Sequence, residues 1–141
     1  MLKVEGLHAY YGRAHILADV GFEVVHGEVL VLLGRNGAGK STTMKSIMGL
    51  VPPAQGRILF RGADIAGKQP FEIARLGLGY VPEERRVFTE LTVEENLEVG
   101  RRRPSPNAPA WTPDKCLRCF PILPACATGP AARCRAASSR C

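Results

Sequence analysis

Eight consecutive residues, Gly34, Arg35, Asn36, Gly37, Ala38, Gly39, Lys40 and Ser41, fit the pattern G-x-x-x-x-G-K-[ST]. These residue types suit one task, holding a chain of phosphates. Glycines at 34, 37 and 39 permit backbone angles and close approaches closed to bulkier residues. Successive N–H groups can then turn inward as an anion-binding nest. A helix beginning near Lys40 adds unpaired N–H groups and the positive end of its dipole. The Lys40 ammonium would reach the β- and γ-phosphates of a nucleotide, and the Ser41 hydroxyl would ligate Mg²⁺. Together with Thr42 these residues make up the expected nucleotide-binding set. The bland alternative is a glycine-rich turn that binds nothing. A strand-like run before the loop and a helical pattern after it favour the phosphate reading.

The surrounding elements follow from hydrophobic spacing. Val29 to Leu33 (V-L-V-L-L) predicts a buried strand that delivers the chain into the loop. Upstream, Leu2 to Leu7 alternates as a half-exposed strand, interrupted by Ala9, Tyr10, Tyr11 and Gly12. A second strand spans about Val20 to Val25, with a turn at His26 to Glu28. Downstream, a helix places Met44, Ile47 and Met48 on one face, with Gly49 as its C-terminal cap and Pro52 and Pro53 preventing continuation. Gly56 to Phe60 predicts a strand turned by Arg61 and Gly62, Pro70 to Leu76 a helix, and Leu78 to Val81 a buried strand ended by Pro82. Thr92 and Glu95 form a capping box that opens a helix through about Gly100, followed by Arg101, Arg102 and Arg103 as a solvated, dipole-favourable end. His8, His15 and His26 lie far apart in sequence and read as ordinary surface or packing residues.

At 141 residues the chain is one domain at most, and 45% hydrophobic content suits a globular protein. No apolar run is long enough for a bilayer span, and Met1 to Glu5 lacks the plan of a secretion signal, so a cytosolic protein is the expectation. The net charge of +6 does not mark a nucleic-acid binder. All 13 acidic residues lie at or before Asp114, and no basic stripe is interleaved with aromatics. All five cysteines lie from Cys116 to Cys141, and seven of the 11 prolines from Pro104 onward, so composition breaks at about 104–116.

Tyr11, the phosphate loop and V-P-E-E-R-R-V-F (Val81 to Phe88) together resemble the ATP-binding subunit of an ABC transporter over roughly residues 2–115. The resemblance is closest to the second ATPase subunit of bacterial branched-chain amino acid or urea importers. It implies an α/β P-loop core with an antiparallel N-terminal edge and an incomplete sheet. It also implies ATP and Mg²⁺ as ligands, and transmembrane subunits and a second ATPase subunit as partners. The place it implies is cytoplasmic, peripheral on the inner face of the bacterial plasma membrane. Tyr11 stands where the family puts an aromatic that stacks on adenine, a contact of about 1–3 kcal/mol; packing in the core is the alternative, and Tyr10 the fallback. Glu83 takes the place of the family's loop glutamine, in the V-P-E form familiar in the branched-chain branch, and a carboxylate can ligate Mg²⁺ too. Arg85, Arg86, Val87 and Phe88 fall near the surface that the resemblance implies receives a membrane subunit; the alternative for the two arginines is solvated charge.

The expected layout is residues 1–103 as the N-terminal part of the nucleotide-binding domain, 104–115 as the start of a helical subdomain, and 116–141 as an aberrant tail. The family's L-S-G-G-Q signature, Walker B aspartate, catalytic glutamate and switch histidine have no counterpart here. Cys116 and Cys119 have zinc-ligand spacing but no second close pair. Synonymous codons for Arg133 to Cys141, read one base earlier, encode M-S-G-G-E-Q-Q-M; the same step across Lys115 to Leu123 gives V-F-A-L-F-P-N-L. Both resemble family segments, which points to one missing base near codon 115 and a disordered tail. No catalytic residue is assigned. The expected function is ATP binding with little hydrolysis, in a truncated copy of an importer ATPase. The rivals are a noncatalytic nucleotide-binding relic and another P-loop kinase or GTPase.

Overall fold

The computed structural model of the chain describes residues 1–84, 86–101 and 111–120. Arg85, Arg102, Arg103, most of the 104–115 segment and residues 121–141 lie outside them, and with these the codon-shifted signature. The chain divides into two compact units, Met1–Val81 and Pro82–Cys141, with the division falling before the expected boundary at residue 103.

The first unit is built on a four-stranded antiparallel sheet. Its strands are β1 (Leu2–Tyr11), β2 (Ala14–Val24), β3 (Gln55–Phe60) and β4 (Ala63–Asp64), in the order β2-β1-β3-β4. β1 is central, pairing Val4 with Phe22 on one side and with Ile58 on the other. It runs past the expected break, through Tyr10 and Tyr11, and turns at Gly12. A bulge makes this possible. The register shifts between Val4 and Leu7, where Gly6 takes φ 56°. One extra residue moves the buried phase from Val4 to Leu7 and Ala9. His8 and Tyr10 consequently share the outer face, while strand alternation puts Tyr11 on the face that Ala9 buries.

α1 (Lys40–Ile47) and α2 (Pro70–Arg75) complete this unit. Val4, Leu7, Leu17, Ile58, Phe60, Ile65 and Ile73 form its core with Ile47, Met48 and Val51. Each full burial of such a side chain contributes about 1.5–3 kcal/mol. α1 ends as its sequence predicts. Gly49 takes φ 69°, its N–H donates to the Ser46 carbonyl at 3.1 Å, and the Leu50 N–H donates to Lys45 at 2.9 Å. Its buried face differs from expectation: Thr42, Thr43, Ser46 and Ile47 are buried, while Met44 is exposed.

Two expected buried strands are absent from the sheet. Val29 to Leu33 and Leu78 to Val81 pair with no strand among the described residues, and Val29, Leu33 and Val81 are almost fully exposed. The physical reason is shared. A strand buried on both faces takes its hydrogen bonds and its cover from neighbours, and the antiparallel sheet offers neither run a place in its ladders.

The second unit holds α3 (Val93–Val99) and α4 (Pro113–Cys119). The Thr92 hydroxyl accepts from the Glu95 N–H, and the Thr92 N–H donates back to the Glu95 carboxylate at 2.7 Å. That bond holds the Glu95 carboxyl below its ordinary range. Asn96 fastens the preceding loop to α3, accepting from the Phe88 N–H and donating to the Phe88 carbonyl, both at 2.9 Å. α4 carries Cys116 and Cys119 across the expected onset of disorder, because Thr112 caps it and Pro113 suits its first turn.

Candidate functional site

The loop between Leu33 and Lys40 owes its path to three glycines with positive φ, Gly34 at 154°, Gly37 at 84° and Gly39 at 88°. The Ala38 N–H donates to the Arg35 carbonyl at 3.1 Å, closing a turn around Asn36 and Gly37. Gly39 is constrained twice. Besides its left-handed backbone, a Cβ at this position would lie 2.7 Å from Leu17 Cδ2 and 3.3 Å from the Ile16 carbonyl. β2 thus forms a wall against which the loop enters its helix. Leu17 carries no chemistry of its own, which is why a motif search passes over it.

Gly39 caps α1 without any side-chain bond, and no acidic residue stands in the first turn. The first turn itself therefore supplies no acidic side chain to compete for the opening N–H groups and the positive dipole end of the helix. The Thr43 hydroxyl is buried and donates to the Gly39 carbonyl at 3.0 Å, stiffening the entry. Lys40 folds back over the loop, its Nζ donating to the Gly34 carbonyl at 2.7 Å and to the Arg35 carbonyl at 2.9 Å. An ammonium group is thereby centred on the loop's own backbone. Ser41 is half-buried in the first turn and Thr42 is buried beside it. The arrangement brings a lysine ammonium and the N-terminal turn of α1 to one loop, a combination suited to a compact anion.

The remaining predicted residues divide between the units. Tyr11 ends β1, half exposed. The ring of Tyr10 instead lies flat on His15, centroids 4.3 Å apart and planes within 9°, which occupies one face of the fallback residue. Glu83 belongs to the second unit, in a bend after Pro82. Ser41 and Glu83 offer hard oxygen donors of the kind Mg²⁺ accepts. Among the described residues no group of three or more His, Cys, Asp or Glu gathers as a metal cluster, at Cys116 and Cys119 or elsewhere. No helix among them is long and apolar enough to cross a membrane.

Two features escaped the sequence reading. His8 and His15 meet across the β1–β2 hairpin, though seven residues apart. The signals were Gly6 within a strand pattern, which marks a bulge, and Gly12, which sets the hairpin. Asn96 was the other, a polar residue on α3 whose partners lie on a preceding irregular loop.

The family profile described as "ABC transporter" matches residues 17–138. The chain is 41% identical over 123 residues to the high-affinity branched-chain amino acid transport ATP-binding protein BraG of Pseudomonas aeruginosa, covering 87% of this chain and 53% of that protein. It is 41% identical over 97 residues to the lipopolysaccharide export system ATP-binding protein LptB of Acidithiobacillus ferridurans, covering 69% of this chain and 40% of that one. Among solved structures, an ATP-binding subunit of an ABC transporter superposes with a TM-score of 0.61 at 41% identity, covering 70% of this chain and 40% of the other. The chain spans about half or less of the length of these relatives.

Proposed function

The chain belongs to the ABC transporter family of ATP-binding proteins, and from that premise we propose that it binds Mg²⁺-ATP through Gly34 to Thr42 for a branched-chain amino acid importer. The observation that carries the proposal is the loop itself. Three glycines hold it open, an uncapped helix terminus stands behind it, and Lys40 is already seated on its backbone. Backbone N–H groups of residues 34–42 would orient the phosphates, and Lys40 would leave its two carbonyls for the β- and γ-oxygens. Ser41 is the first proposed ligand of the magnesium ion and Glu83 the second; the ion would neutralise developing phosphate charge. Tyr11, on the face that Ala9 buries, would stack on the adenine.

The solute assignment rests on the likeness to BraG and on the V-P-E run at Val81 to Glu83. The partners proposed are membrane subunits and a second ATPase subunit, through which the protein would sit on the inner face of a bacterial plasma membrane. Val87 and Phe88, both exposed, the latter with its backbone bonded to Asn96, are the side chains offered to such a partner. The codon coincidence around Lys115 supports a shifted frame after that residue; sequencing the gene across codon 115 tests this.

Titration with Mg²⁺-ATP, followed by calorimetry, tests the binding itself. Lys40→Ala is expected to weaken binding by about 10²-fold, the loss of a charged hydrogen-bonding group. Tyr11→Ala is expected to cost about 1–3 kcal/mol with ATP and nothing with inorganic triphosphate. Equal affinity for the unsubstituted chain and Lys40→Ala would remove the proposal.

A further inference from the structure

Outside the phosphate loop, one pair of metal-ligating side chains on the described sheet is in direct contact. His8 on β1 and His15 on β2 face each other with His8 Nδ1 3.0 Å from His15 Nε2. The ring centroids are 5.2 Å apart and the planes within 17°. A centroid separation that exceeds the nitrogen separation by about two ring radii means that the rings meet edge to edge, nitrogen toward nitrogen. A single proton is enough to bridge them. His15 is held by Tyr10, its register partner, whose ring lies flat against it. The pair is solvent-exposed, so an ion can reach it.

We propose that His8 and His15 form a two-imidazole seat for a divalent transition-metal ion, independent of the nucleotide site. Imidazole binds such ions through a neutral ring nitrogen. At metal–nitrogen distances of about 2.0–2.1 Å, two nitrogens at a right angle on one ion stand about 2.9 Å apart, and at the tetrahedral angle about 3.3 Å. The observed 3.0 Å is a hydrogen-bond distance, and it shows that both nitrogens already stand within the span that one such ion bridges once the rings turn. Metal entry requires the bridging proton to pass to the other nitrogen of the ring that carries it, so that both facing nitrogens present lone pairs and both rings stay neutral. It also requires the two lone pairs to converge off the nitrogen–nitrogen line. His8 supplies that turn, since χ2 of histidine is soft and the Tyr10 stack is on His15. Gln55 stands opposite His8 on β3 and brings a carboxamide to the same face. Among the described residues no third His, Cys, Asp or Glu joins the pair, so water completes the coordination and affinity follows the order Cu²⁺ above Ni²⁺. The bound ion would staple β1 to β2 near the turn from which Tyr11 projects.

The test uses the full chain with its thiols alkylated, so that the cysteines from Cys116 onward do not compete for metal. Calorimetric titration with Ni²⁺ is expected to show one site, weakened ~10-fold or more by His8→Ala or His15→Ala through loss of chelation and unchanged by His26→Ala. The same affinity in all three variants overturns the proposal. His8→Gln and His15→Gln, with far-UV circular dichroism as a check on folding, guard against a structural cause. In the unsubstituted chain, substoichiometric Cu²⁺ is expected to broaden the imidazole proton resonances of His8 and His15 first; broadening of His26 ahead of them also overturns it.

Discussion

Ile58 and Leu33 each sit in a short run of strand-forming residues, yet Ile58 is fully buried while Leu33 is 88% exposed. Their side chains are similar in size and hydrophobicity, so transfer free energy does not distinguish them. Neighbours do. β3 pairs with β1 along one edge and with β4 along the other, whereas Val29 to Leu33 joins no ladder among the described residues. A strand pattern in sequence therefore states a demand for partners, and whether the demand is met is decided elsewhere in the chain.

The largest effect that tests this contrast is Ile58→Ala, expected to lower the unfolding free energy by about 2–5 kcal/mol. Leu33→Ala is expected to change it by no more than about 0.5 kcal/mol. Denaturant melts of the two variants settle the matter; equal losses would mean that the Val29 to Leu33 run is covered in solution. Next is Gly39→Ala, which meets both a left-handed φ and Leu17. It is expected to cost about 1–3 kcal/mol of stability, and to reduce nucleotide affinity in the same melt-and-titrate experiment. That outcome would place the loop with β3 and not with the exposed run that leads into it. The smallest effect is Ser46→Ala. The Ser46 hydroxyl is buried and meets no partner among the described residues. Removing an unsatisfied buried polar group is expected to be neutral or stabilising by up to about 1 kcal/mol, read as an unchanged or raised melting temperature.

Local signals in the sequence were reliable where the cause was also local. Gly49 ends α1, Thr92 and Glu95 open α3, and Pro70 starts α2, because each depends on backbone groups within a turn of the residue itself. The glycines of the phosphate loop were legible for the same reason. What could not be read there was set by distant partners. Met44 sits on the apolar stripe of α1, but the sheet receives Ile47 and Met48 and leaves Met44 in solvent. The bulge at Gly6 sets which sides His8, Tyr10 and Tyr11 take, which simple alternation from Val4 would reverse. The wall that Leu17 presents to Gly39 depends on how β2 passes under the loop, which no spacing within residues 34–41 encodes.

The resting position of Lys40 has a consequence for which anions can enter. Its ammonium is engaged with the carbonyls of Gly34 and Arg35, and each charge-assisted bond of this kind is worth about 1.5–3 kcal/mol. Admission is therefore an exchange, in which a visitor must outcompete two oxygens already in place. A lone chloride or acetate would offer the ammonium fewer oxygens or less charge than linked phosphoryl groups would. In the proposed role the lysine would act as a threshold as well as a ligand, sorting visitors by density of negative charge before shape is consulted.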